Sequence, residues 1–464
     1  MALVQTAPSD TAPAELAAQL RGRLLRPGNE GYDEARTLWN AMIDKHPALI
    51  VQCTGTADVV AAVEFARENE MPMSIHGGGH NVAGKSVIDD GLMIDLSGMT
   101  GVHVDRAART VRAQGGATLG DVDHETQLFG LATPLGAVSQ TGIAGLTLHG
   151  GYGHLSREYG LTVDSLTEME VVTADGQVRT VNENQHPDLF WALRGGGGDF
   201  GVVTAFEYDL YDVGPEVYTF FVWYHGDEAA DRMDRFREWA DSAPRHAGVL
   251  PFVGHVPQLD EFSEDLWGDP ALAFLGSCRG NLDAAEEVFA PLREGGTPIA
   301  DFSSPMQFED LQQLLDEDYP DGLRYYWKSV YLTELTDEVV DLMLRYNDAA
   351  PSALSTIDLW HLDGAVGDVP KDATAFWHRD KPFMITFEAN WEAADHDEAN
   401  VGWVRDGIAE VEELGVAAGR YGNFPGLDED PAALTYGENY GRLLDLKTKY
   451  DPKNLFRGTI APRT

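Results

Sequence analysis

The chain has little sulfur, little positive charge and no long apolar run. Its 464 residues include two cysteines, Cys53 and Cys278, too few for a disulfide framework or a cysteine-rich metal site. A single bridge between them is arithmetically possible. No stretch approaches the ~20 consecutive apolar residues that a membrane-spanning helix needs, so no membrane association is expected. The start, MALVQTAPSDTAPAEL, lacks the basic region and apolar core of a secretory leader, and the expected location is the cytoplasm. Basic residues number 33 against 76 Asp plus Glu, a formal net charge of −43. A surplus of that size repels nucleic acid and anionic membranes, and neither is expected as a partner. The acids are dispersed rather than gathered in a tail, which makes the charge a whole-surface property. Molar salt shortens the Debye length to about 3 Å and screens such self-repulsion, so a high-salt organism is the expected source.

The remaining composition is that of a folded protein, 43% hydrophobic and 10% aromatic, long enough for two or three domains. ALIVQC reads as a buried strand. TADVVAAVEFARENE reads as a helix with Thr56 as N-cap and Val59, Val60, Val63 and Ala66 on one face, and MPMSIHGGG as a second strand. That order is a βαβ unit. GVHVD and ARTVRAQGG form a hairpin, Thr118 caps a helix ending before Gly130, and MEVVTADGQVRTV folds back at Asp175-Gly176. HPDLFWALRGGGG gives a short helix and FGVVTAFEYDL a strand. At Val213-Gly214-Pro215 the glycines thin out. From there to about residue 418, long strands such as YYWKSVYL and FMITFEANW alternate with amphipathic helices, the pattern of a second, α+β domain with an antiparallel sheet.

Glycines cluster in GGGH (77–80), QGGATLG (114–120), HGGYG (149–153) and GGGG (195–198). Any one run is explained by a tight turn. Four together point to an extended ligand wrapped by several loops, because glycine lets backbone approach closely and present N–H groups to anions. Residues 79–86, GHNVAGKS, fit the phosphate-loop pattern in full. That motif works only where a helix follows; here VIDDG and the strand GLMIDL follow, so a nucleotide hydrolase is rejected. His76 and His80 have the spacing of a helical metal pair, but Gly77, Gly78 and Gly79 between them make a helix costly, and no metal is expected.

The stretches IHGGGHNVAG, VRAQGGATLGDV, TGIAGLTLHGGYGHLSREYGLTVDSL, HPDLFWALRGGGGDFGVVT and NYGRLLDLKTKYDPKNLF, in this order, resemble the berberine-bridge-enzyme-like and 6-hydroxynicotine-oxidase-like FAD-linked oxidoreductases. With NEGYDEARTLWN, the resemblance covers most of the first 210 residues and the last 45; the middle matches only in short pieces such as YYWKS. It implies an α+β fold: a PCMH-type FAD-binding domain of two α/β subdomains over residues 1–212, a substrate domain with a helix-covered antiparallel sheet over 213–418, and a return to the FAD domain over 419–464. It implies FAD joined to the protein through His80. Further cofactor contacts are implied for Gly77, Gly78, Gly79, Asn81, Gly84, Gly136, Thr141, Gly142, Gly145, Gly150, Gly151, Gly153, Asp199, Gly201, Val202, Val203, Asn423, Asn439 and Tyr440. Val138 stands where many relatives carry a cysteine that makes a second flavin bond, so a single 8α-histidyl linkage is expected. His76 replaces a common arginine.

A flavin accepts hydride from a carbon bearing an alcohol or amine while a protein base takes the heteroatom's proton. Glu388, on FMITFEANW, is the first candidate for that base, with a merely exposed carboxylate as the alternative. Tyr421 is the second. Lys328 is a candidate for orienting substrate, with a strand-edge lysine as the alternative. The expected partners are a small-molecule alcohol, sugar or amine and an electron acceptor, oxygen being favoured by the small Gly136 near the flavin edge. A flavin- or sugar-binding protein of this fold without catalysis is the competing reading.

Overall fold

The computed structural model describes residues 12–427, 429 and 431–463; residues 1–11 of the N-terminal stretch read as leader-free lie outside them. Among the described residues, three large sheets and one two-stranded pair, Leu131–Ala132 with Tyr211–Asp212, organise the chain. The first runs Arg23–Leu25, Leu49–Gln52, Leu92–Asp95, Met73–His76 in spatial order. Leu92–Asp95 lies parallel to both of its neighbours, so the two strands of the βαβ unit are separated by a strand that comes later in the sequence. The crossover helix, Thr56–Glu68, buries Val59, Ala62, Val63 and Ala66. Its N-cap is Gly55 rather than Thr56; the Thr56 hydroxyl instead donates to Glu170 at 2.6 Å and ties this helix to the second sheet.

The second sheet is antiparallel, in the order Val102–Asp105, Thr110–Gln114, Val202–Asp209, Leu166–Val172, Val178–Asn182. Both expected hairpins are present. Helix Leu119–Gln127 starts in a capping box between Thr118 and Asp121, which satisfies two otherwise orphaned N–H groups.

The third sheet has eight antiparallel strands between Glu216 and Trp391. Side chains alternate across it. Val330, Leu332, Ile357, Leu359, Ile385 and Phe387 face helices Ala229–Ala240, Leu282–Arg293, Asp337–Asp348 and Asp397–Glu413 in one apolar core. The opposite face, carrying Trp327, Asp358, Met384 and Glu388, is turned towards the glycine loops of the first 212 residues.

Two segments cross back. Between His361 and Phe383 the chain dips into the second sheet's core, where Trp191 Nε1 donates to the Asp372 carbonyl at 2.7 Å and Arg379 pairs with Asp164 at 2.7 Å. The last helix, Tyr440–Tyr450, packs Leu443 and Leu446 beside Leu189 and Phe190. Its Lys447 is fully buried and satisfied by Asp451 at 2.8 Å and the carbonyls of Asp199 and Phe456. Cys53 and Cys278 are buried in different cores and unbridged.

Candidate active site

A cavity of about 1770 Å³, solvent at its mouth included, separates the glycine loops from the large sheet.

Its inner half is built by loops. Strand Met73–His76 delivers Gly77, Gly78, Gly79, His80 and Asn81 to the wall, and Gly136, Thr141, Gly142, Gly145, Gly201 and Val203 line it from the second sheet's connections. The glycines serve two purposes. A Cβ on Gly78 would sit 2.5 Å from the backbone N and Cα of Gly142, so these two allow one loop to lie on the other. A Cβ on Gly145 would meet nothing within 4 Å; it would protrude into the cavity. His80 is buried on this wall, and its Nε2 has no hydrogen-bond partner. Burial pushes its imidazole down to about 4, so the ring is neutral at ordinary pH. A buried nitrogen without a hydrogen-bond partner, beside a wall that glycine leaves open, fits a closely wrapped cofactor.

Several expected cofactor contacts lie elsewhere. Gly84, Gly150, Gly151 and Gly153 are small because Ile43, the Phe376 ring, the Thr162 side chain and the Leu135 carbonyl occupy the space a Cβ would need. Val202 is sealed in the core between the first two sheets. Asn439 spends its amide on the carbonyls of Lys371, Thr374 and Ala375, and Tyr440 stacks on Tyr436. Asp199 reaches the cavity, but both carboxylate oxygens accept N–H groups from Gly458, Thr459 and Ile460, which pins the C-terminal segment. After Ser86 the chain turns and enters strand Leu92–Asp95 with no helix, as expected for a sequence that only imitates a phosphate loop. Among the described residues no group of three or more His, Cys, Asp or Glu is placed to hold a metal, and no helix is long and apolar enough to cross a membrane.

The outer half is built from side chains. Glu388, 3% exposed, lines it and accepts a hydrogen bond from the Tyr319 hydroxyl at 2.9 Å. Asp358 faces the same cavity from the adjacent strand, two residues along the register, where it opposes Thr386. Burial and the neighbouring Asp358 hold the Glu388 carboxyl well above its ordinary range; burial also pushes Asp358 up, to about 7. Two buried carboxyls this close resist double ionisation, so they titrate as a pair. Trp327, Trp360 and Phe424 complete the wall. Tyr421 is also there: it accepts from Asn423 Nδ2 at 3.0 Å, and burial pushes its phenol up to about 12. Lys328 is not, since the register that turns Trp327 inward turns Lys328 to the other face, where it pairs with Glu429 at 3.5 Å. Asp358, Tyr319 and Trp39, which stacks on His80 at 4.1 Å, escaped the sequence reading; only Trp39 stands in a stretch that carried the resemblance.

A glycine-walled cavity with a buried histidine at one end and a carboxyl pair at the other fits a flavin-dependent redox enzyme. Residues 47–182 match the FAD binding domain family and residues 420–459 the berberine and berberine-like family. The chain is 31% identical to an FAD-linked oxidoreductase of Dictyostelium discoideum over 96% of its own length and 95% of that protein's. It is 29% identical to (R)-6-hydroxynicotine oxidase of Paenarthrobacter nicotinovorans, over 94% of this chain and 96% of the relative. The solved structure of 6-hydroxy-D-nicotine oxidase from Arthrobacter nicotinovorans superposes with a TM-score of 0.84 at 28% identity, covering 96% and 98% of the two chains. Physcomitrella patens BBE-like 1 shares the fold, with a TM-score of 0.87 at 23% identity over 97% and 99%. The protein belongs to the berberine-bridge-enzyme-like family of FAD-linked oxidoreductases.

Proposed function

We propose that this protein is an oxidase whose FAD is held by one 8α-histidyl bond to His80 and whose substrate is an alcohol, sugar or amine. The observation that carries the reading is His80 itself, buried on the cavity wall with Nε2 unsatisfied. Val138 lines the same cavity where a second, cysteinyl bond would need a thiol. When bound, the flavin supplies the hydride acceptor.

The protein's own part is to seat the donor carbon and take a proton. Glu388 is the base: its carboxyl lines the cavity, and its raised pKa brings proton uptake closer to the operating pH. Asp358 tunes it by like-charge repulsion, and Tyr319 opposes that shift by donating to the carboxylate. Tyr421, with its phenol near 12, is better suited to donate a hydrogen bond to substrate than to accept a proton. Trp327, Trp360 and Phe424 give an apolar wall on which a ring, aromatic or sugar, can lie. Relatives named glucooligosaccharide oxidase and (R)-6-hydroxynicotine oxidase span both kinds of substrate. Oxygen is the acceptor we favour, in line with relatives named as oxidases; Gly136 does not argue for it, because a Cβ there would meet Leu119 and Leu146 at 3.0 Å. We also read the net charge of −43 as adaptation to a high-salt cytoplasm.

Acid precipitation tests the central point. Yellow flavin should stay with the wild-type polypeptide and be absent from precipitated His80→Ala. Flavin released from the wild type would refute the linkage; retained flavin with no bleaching by any alcohol, sugar or amine would refute the catalysis.

A further inference from the structure

Trp39 lies in a segment without regular secondary structure, more than thirty residues before the first residue of the cavity, yet it is buried against His80 on the cavity wall. Its indole stacks on His80, with ring centres 4.1 Å apart and planes 18° apart. Its other face stacks on Tyr325 at 3.6 Å and 11°, so the indole is the middle layer of a His80–Trp39–Tyr325 sandwich. The middle layer is itself fastened. Trp39 Nε1 donates to the Tyr319 carbonyl at 2.8 Å, and Trp327 meets the indole edge-on at 5.2 Å. Next to it, the buried Asn40 amide donates to the carbonyls of Val82 and Tyr325, both at 2.8 Å, and its oxygen accepts from Tyr325 N at 3.0 Å. The Trp39-Asn40 pair thus clasps the His80 loop to the large sheet.

We propose that Trp39 is a positioning residue for flavin attachment: by stacking on His80 it fixes the plane of the imidazole, and hence the line along which Nε2 meets the flavin. The inference rests on the His80 linkage proposed above. The physical reason is geometric. The lone pair of a neutral imidazole nitrogen lies in the ring plane, so rotation of the ring sweeps that lone pair away from its target. Gly77, Gly78 and Gly79 offer no side chain to restrain the ring, and Nε2 has no hydrogen-bond partner. Beyond a polar contact with the backbone of His80 itself, the stack is what holds the ring plane, and the low basicity that burial imposes on His80 keeps the Nε2 lone pair free. In attachment, a C–H of the flavin 8α-methyl is replaced by a C–Nε2 bond. The methyl and imidazole protons leave, the flavin takes up the two electrons, and molecular oxygen reoxidises it. Restraining one reactant in such a step changes its rate without changing its chemistry.

The test compares full-length wild type, Trp39→Ala and Trp39→Phe, each purified with its flavin. Two quantities are read: total flavin per chain, and the fraction that stays with the polypeptide after acid precipitation. Trp39→Ala should keep most of its total flavin while the covalent fraction falls by about tenfold, and Trp39→Phe, which retains a ring to stack, should recover most of it. Equal covalent fractions in all three proteins overturn the proposal. So does a parallel fall of total and covalent flavin in both variants, which a role in folding or cofactor binding alone would give. Should Trp39→Ala not accumulate, Trp39→Leu fills the space without a ring and is read by the same criteria. A wild type that releases its flavin in acid instead refutes the His80 linkage, an outcome distinct from variants that remain fully linked.

Discussion

The two halves of the cavity are made in opposite ways. The inner half is backbone: glycines at fixed places let loops lie on each other, as Gly78 does on Gly142, or leave a wall bare, as Gly145 does. The outer half is side chains on three strands of one sheet, with Glu388, Asp358 and Trp327 brought together by register rather than by nearness in sequence. The difference teaches where each half can fail. A substitution in the inner half should change how much flavin the protein holds and leave the pH dependence of turnover alone. One in the outer half should do the reverse.

The largest effect sharpens the second half of that statement. Glu388→Gln keeps the shape and removes the base, so kcat/KM for the best substrate should fall by about 10²–10⁴-fold with flavin content unchanged. A fall below tenfold would move the base to another residue. Next, Gly78→Ala places a methyl 2.5 Å from the backbone of Gly142. Overpacking of this kind costs about 2 kcal/mol and pushes apart the two loops that form the cofactor wall. Flavin per chain should drop while the pH profile of the remaining active enzyme stays put; a shifted profile would break the division between the halves.

That division also explains what could be read beforehand. The inner half was legible because backbone recognition demands glycine at particular positions, and IHGGGHNVAG and TGIAG keep those positions in linear order. Even there the glycines over-promised. Gly84, Gly150, Gly151 and Gly153 answer to protein neighbours instead of the cavity, and a glycine string does not say which neighbour it makes room for. In the outer half Glu388 was reachable as an acid on an otherwise apolar strand. Asp358 was not, because TIDLWH tells nothing of which strand will lie beside it. Lys328 was misassigned for the same reason: its neighbour Trp327 faces the cavity, and period-two alternation sends the lysine away. Helix and strand positions fared better because they depend on local periodicity, although the inserted strand Leu92–Asp95 shows that sheet order does not.

The two smallest predictions set the partners of Glu388 against each other. Asp358 raises the Glu388 pKa by charge repulsion, whereas Tyr319 lowers it by donating a hydrogen bond to the ionised form. Catalysis needs the ionised base, so kcat/KM should climb with pH through this group's titration. Asp358→Asn removes the repulsion and should move that climb about one unit towards acid. It should also stabilise the fold above neutrality. With its native pKa near 7 and its ordinary value 3.8, Asp358 binds more proton folded than unfolded between those limits, so stability falls as pH rises across them. The neutral amide removes that loss, and the gain in Tm at pH 8 should fade towards pH 4.

Tyr319→Phe should act in the opposite sense. It deletes one hydrogen bond to a charged acceptor, worth about 1.5 kcal/mol net, and so should move the climb about one unit towards alkali. Opposite displacements by two residues that flank one carboxyl would assign the titration to Glu388. Displacements in the same direction would mean that the observed limb belongs to another group, and that the carboxyl pair serves the sheet rather than the reaction.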